Sequence, residues 1–322
     1  MGLSSAIVRR SLPRIGEYVS RADGIRSWIE GGSFYIDDQS TDSRILLKNI
    51  TITEILPYFM FDYERFALSC WESFSVYKEE SNSHNLLAWP FLKLYYSAFF
   101  GAHAAMRVVG EGVIRIEHGQ AKRLSELVSI FMAPGFLVGT GTYHVRTIQN
   151  TDLTINVFLQ KLSDTGGAHD GFWRVFSGFL QEIEAESIRG RYVDAALIVS
   201  KIEDITKITK AYGGAAGNWL STIRNRINYS HDFGVWFPIK GSHASLDDLR
   251  GIVFRNLDGI RLDINPGKEP LRAFAAASQV LASLSFEIAE QIAAQSDAAT
   301  RFGSKWKRLR RELRDGEPAR PG

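Results

Sequence analysis

Residues 90–110 read PFLKLYYSAFFGAHAAMRVVG, with a proline where a helix can begin and a glycine where one can stop. Ser97, Ala98, Gly101, Ala102, Ala104 and Ala105 would let another helix approach closely, while Phe91, Leu94 and Phe99 supply apolar bulk. Only Lys93, His103 and Arg107 interrupt it with charge or potential charge. A helix this apolar belongs inside a bundle. A second run of the same texture, PLRAFAAASQVLASLSFEIAEQIAA at 270–294, is its natural packing partner, and the two together would make the bundle centre.

Further helices are expected outward from this pair. The aromatic-rich run from Thr53 to Tyr77 has Pro57 in its first turn, where a missing N–H costs nothing. Asp170 to Glu184 and Arg191 to Lys210 also read as helices, and Gly213, Gly214 and Gly217 break the chain before NWLSTIRNRINYSHDF at 218–233. Strand-like language is confined to short pieces. Ser33 to Asp37 and Ile45 to Ile52 suit a strand pair, and GVIRIEH, TYHVRTI and TINVFLQ fall within 111–160. The fold expected is mainly α, a helical bundle with a small β or irregular insertion. Its parts are a mixed extension at 1–55, a helical body at 56–297 with the insertion at about 111–165, and a basic tail at 298–322.

Composition narrows the function classes. The chain has 322 residues, 45% of them hydrophobic, and a single cysteine, Cys70, so neither an internal disulfide nor a thiolate metal cluster can form. No apolar run reaches the 18 residues of a spanning helix or resembles a signal peptide, so a cytoplasmic protein without membrane partners is expected. His118, His144, His169 and His243 are isolated, and no phosphate-loop motif is present, so neither metal nor nucleotide cofactor is expected. The net charge of +2 conceals a basic tail: residues 301–314 hold seven Lys/Arg against Glu312. Lys305, Lys307, Arg308, Arg310 and Arg311 are the candidates there for contact with RNA phosphates, against the plainer role of a solvated terminal helix.

Residues 218–233 carry the candidate chemistry. On one continuous helix, Arg224 and His231 return to within about 20° of each other, roughly 10 Å apart along the axis, with Asn228 between them. Leu220, Ile223 and Ile227 form the adjoining apolar stripe, and Asn225 contributes from the side. Arg226 lies about 140° from His231. A guanidinium can hold a phosphodiester and an imidazole can move a proton near neutral pH. RNA supplies its own nucleophile, the 2′-hydroxyl, so such a pair needs no metal. The same residues also suit a plainer role, capping the last turns of a surface helix. His103 could join the cleft or be a core histidine with a hydrogen-bonded neighbour.

The segment RNRINYSH, Arg224 to His231, resembles the signature of the HEPN superfamily: an arginine, a polar neighbour, and a histidine after a short gap. LKLYYSAFFGAHAAMR, Leu92 to Arg107, is similar to the early helix of many HEPN domains. The resemblance implies a metal-independent endoribonuclease that leaves a 2′,3′-cyclic phosphate and works as a homodimer. It also implies a toxin or antiphage defence setting with an antitoxin or defence-system partner. Arg224 would hold the phosphate, His231 would serve in proton transfer, and Asn225 would position them. Some members are dead scaffolds, which keeps open a non-catalytic interaction protein. Two features depart from the pattern. More than a hundred residues separate Arg107 from Arg224, and Phe233 stands where a nucleotide-accepting tyrosine is often found.

Overall fold

A computed structural model describes residues 2–17, 23–83, 87–132, 135–151, 153–163, 167–211, 216–236, 257, 260, 262–296 and 301–315. The Gly213–Gly214 break and the loop-rich run after Phe237, with His243, lie outside them. The described residues are mainly helical, with one small antiparallel sheet. In chain order the elements are α1 (Leu3–Arg9), α2 (Ile25–Gly31), β1 (Tyr35–Ile36), β2 (Arg44–Thr51), α3 (Ile52–Ser83) and α4 (Ala88–Val108). Then come β3 (Glu111–Ile116), α5 (His118–Phe131), β4 (Gly141–Gln149), β5 (Thr154–Lys161), α6 (Gly167–Arg189), α7 (Ala195–Thr209) and α8 (Trp219–Asn228). The last two are α9 (Pro270–Gln295) and α10 (Arg301–Asp315).

Helix α4 lies between α3 and α9, and the small residues decide how close they come. A Cβ at Gly101 would stand 2.8 Å from the Leu281 carbonyl oxygen and 3.3 Å from the Cys70 sulfur. Ser97 donates to the Cys70 carbonyl at 2.8 Å, satisfying a hydroxyl that would otherwise be costly to bury. Burial pushes the Cys70 thiol up to about 12, so it stays protonated and inert. Helix α4 ends at Val108, and Gly110, two residues on with φ of +76°, reverses the chain into β3.

The sheet has the order β1-β2-β5-β4-β3, with every neighbour antiparallel. The expected β1–β2 pair is present, with Tyr35 opposite Lys48. Because β2 also pairs with β5, residues from the chain start and from the 111–165 region build one sheet. Two local expectations need correction. Pro57 is the sixth residue of α3, past its first turn, because β2 runs directly into the helix at Ile52. Between β3 and β4 stands α5, where only strand or irregular chain was expected. It is started by a reciprocal capping box of Glu117 and Gln120, and it buries Ala121, Leu124, Leu127 and Val128.

The basic tail is docked. Trp306 of α10 packs tilted against Trp71 at 4.2 Å and edge to face with Phe286 at 4.7 Å, and Phe302 packs on Tyr63. Lys305 pairs with Glu64 of α3 instead of facing outward alone. Lys307, Arg308 and Arg311 are exposed, while the Arg310 side chain lies outside the described atoms.

Candidate functional site

Helix α8 is short and strongly two-sided. Trp219, Leu220, Ile223 and Ile227 are buried, as the apolar stripe requires, against α4, α6, α7 and α9. Arg224 falls on the margin of that face and reaches across to α4. Its Nη2 donates to the Tyr96 hydroxyl at 2.7 Å and its Nη1 to the Asn225 side-chain oxygen at 2.8 Å. The guanidinium carbon also lies 5.7 Å from the Tyr96 ring centre and 5.5 Å from that of Tyr229. Two of its five N–H groups are thus used, and Nε has no partner. Arg224 is half-buried, and among the described residues no carboxylate pairs with it.

The stripe joining Arg224 to His231 does not form. Helix α8 ends at Asn228, its half-buried final residue, and His231 sits beyond it in the left-handed region at φ 53°, ψ 33°. The physical reason is local. Trp236 folds back so that its Nε1 donates to the Ile227 carbonyl at 2.7 Å, filling an acceptor of the last turn. Residues 231, 233 and 234 all take positive φ, a strained turn in which only Gly234 is at ease. Arg226, expected to point elsewhere, pairs with Asp232 at 2.7 Å and so braces the same turn. The exposed His231 ring lies 5.5 Å from Trp236, which meets the half-exposed Trp89 edge to face at 5.6 Å. Trp89 and Tyr96 share a face of α4, two turns or roughly 10 Å apart. Arg224 and His231 therefore sit at successive stations along α4, not on one helix.

His103 is not part of this site. Its ring is sandwiched between Phe172 at 3.7 Å and Phe66 at 4.5 Å, and it is 6% exposed. Burial, with the Arg107 charge beside it, holds its pKa well below the usual value, so it is a neutral core histidine.

The imidazole within electrostatic reach of Arg224 is His169, in the first turn of α6. Its Nδ1 is 2.9 Å from the Tyr95 hydroxyl, which also accepts a hydrogen bond from Trp173 Nε1 at 3.1 Å. Burial first, and then the Arg224 charge, lower its pKa to about 4. The sequence alone left His169 among the isolated histidines and gave no sign that Tyr96 meets Arg224. No local spacing connects positions 96, 169 and 224; three helices do. Among the described residues no group of three or more His, Cys, Asp or Glu could hold a metal ion, and no helix is long and apolar enough to cross a membrane. No protein-family model, curated protein or solved structure matches the chain.

Proposed function

We propose that Arg224 binds an RNA phosphate and that the chain is a metal-independent endoribonuclease on a HEPN-like helical scaffold. One observation carries the reading: a half-buried guanidinium surrounded by phenols, with no carboxylate partner among the described residues. A partly desolvated cation without a counter-charge favours an anionic ligand, and its fixed donors suit phosphate oxygens.

In this reading Tyr96 and Asn225 orient Arg224 toward the scissile phosphate, where it stabilises charge building on the non-bridging oxygens. An imidazole takes the proton of the 2′-hydroxyl, that oxygen attacks phosphorus, and the 5′-oxygen leaves with a proton. The products are a 2′,3′-cyclic phosphate and a 5′-hydroxyl. His169 is the imidazole in the field of Arg224; burial is the larger cause of its lowered pKa, and phosphate binding would offset only the second cause, the Arg224 charge. His231 is the second imidazole, past the end of α8. The signature resemblance extends the reading to a homodimer serving as a toxin or defence effector with a protein partner.

The test is incubation of purified protein with RNA in EDTA, with the product ends mapped. Cleavage leaving cyclic phosphates, lost in Arg224→Ala and reduced in either His169→Gln or His231→Ala, supports the reading. Cleavage abolished by EDTA, or unchanged in Arg224→Ala, contradicts it. RNA binding without cutting in the wild type would leave the non-catalytic interaction protein.

A further inference from the structure

The surface beside Arg224 is aromatic and open. Tyr229 is 70% exposed although its ring faces the guanidinium, and Trp89 is 51% exposed at the next station along α4. Neither is a stray surface residue. Trp89 is held edge to face by Trp236, and Trp236 is pinned by its hydrogen bond to the Ile227 carbonyl. His231 packs on the same indole, so the turn at 231–236 buttresses the Trp89 ring. Large rings left open to water on a braced support, beside a cation with no carboxylate partner, match what a single nucleic-acid strand offers: a phosphate flanked by unpaired π-faces. In a duplex the same faces are already stacked and out of reach.

We propose that Tyr229 and the Trp89–Trp236 pair stack nucleobases of single-stranded RNA whose phosphate rests on Arg224. This rests on the reading of Arg224 as a phosphate site and adds the substrate class. The two kinds of contact separate by their response to salt: stacking is insensitive to it, whereas a phosphate contact is not.

The experiment is titration of the full chain in EDTA with a fluorescein-labelled 12-nucleotide single-stranded RNA whose 2′-hydroxyls are methylated, so that it cannot be cut, and with a blunt duplex of the same length and chemistry, over a range of salt. The single strand should bind at least tenfold more tightly than the duplex. Trp89→Ala and Tyr229→Ala should each weaken single-strand binding roughly tenfold with an unchanged salt slope. Tyr229→Phe, which keeps the ring and loses the hydroxyl, should restore it. Equal or tighter duplex binding, or wild-type affinity in both alanine variants, overturns the stacking proposal. Arg224→Ala keeps the two ideas apart. If it weakens binding and flattens the salt slope while the aromatic variants do nothing, the phosphate site stands and the platform goes. If it changes neither affinity nor slope, the phosphate reading fails.

Discussion

Arg107 and Arg224 meet the same helix from opposite circumstances. Arg107, on α4 itself, is 1% exposed and spends its donors inside the protein: the Glu111 carbonyl at 2.8 Å, the Val113 carbonyl at 3.0 Å, and Asp62 at 3.4 Å. Gly112 makes room for it, since a Cβ there would lie 1.0 Å from Nη1. Arg224 reaches α4 from α8 and finds a phenol and a side-chain amide but no described carboxylate. The first arginine fastens α4 to α3 and β3; the second is left with its Nε unpartnered. An enclosed and satisfied charge is a brace, while a half-enclosed charge without a described carboxylate partner is the one still able to meet an anion.

The comparison should break first at Arg107. Arg107→Ala strands two buried carbonyls and weakens the hold on Asp62, at a cost of about 3–5 kcal/mol in chemical denaturation. Arg107→Lys should recover little, since one ammonium cannot span the three acceptors. Gly101→Val, which pushes side-chain atoms against the Leu281 carbonyl, should cost about 1–3 kcal/mol through the α4–α9 contact. Neither result depends on RNA.

Acid provides the next contrast. His103 and His169 have folded pKa values below their unfolded values, the latter about 4 against 6.5. Above pH 6.5 both states are neutral and nothing changes. As pH falls from 6.5 toward 4, the unfolded chain takes up protons that the folded one refuses, so stability should decline through that window. His169→Gln should make the decline shallower when melting temperature is followed against pH. The smallest stability effect belongs to Arg224→Ala, under about 1 kcal/mol, because the residue is half-exposed and fastens no carboxylate.

The bundle centre was legible because its information is local. Proline, small-residue spacing and glycine stop all lie within 90–110, and the matching run at 270–294 repeats the texture. α5 was missed because its start depends on a Glu117–Gln120 side-chain exchange in a stretch whose flanks read as strands. In the site, Arg224 and its buried stripe followed from helical period, but His231 did not. Whether a helix runs past Asn228 was decided by Trp236, eight residues beyond it, returning to cap the last turn. His169 and Tyr96 join Arg224 only through tertiary packing, and a single sequence carries no trace of that.

The central proposal is that Arg224 is a cation that takes a phosphate. Affinity for single-stranded RNA with methylated 2′-hydroxyls, which cannot be cut, measured against salt concentration in EDTA for wild type and Arg224→Ala with both melting temperatures recorded, addresses this directly. The account predicts near-equal melting temperatures, weaker binding, and a log–log salt slope shallower by about 0.7, the loss of one phosphate contact. Identical slopes and affinities in two equally stable proteins would contradict it.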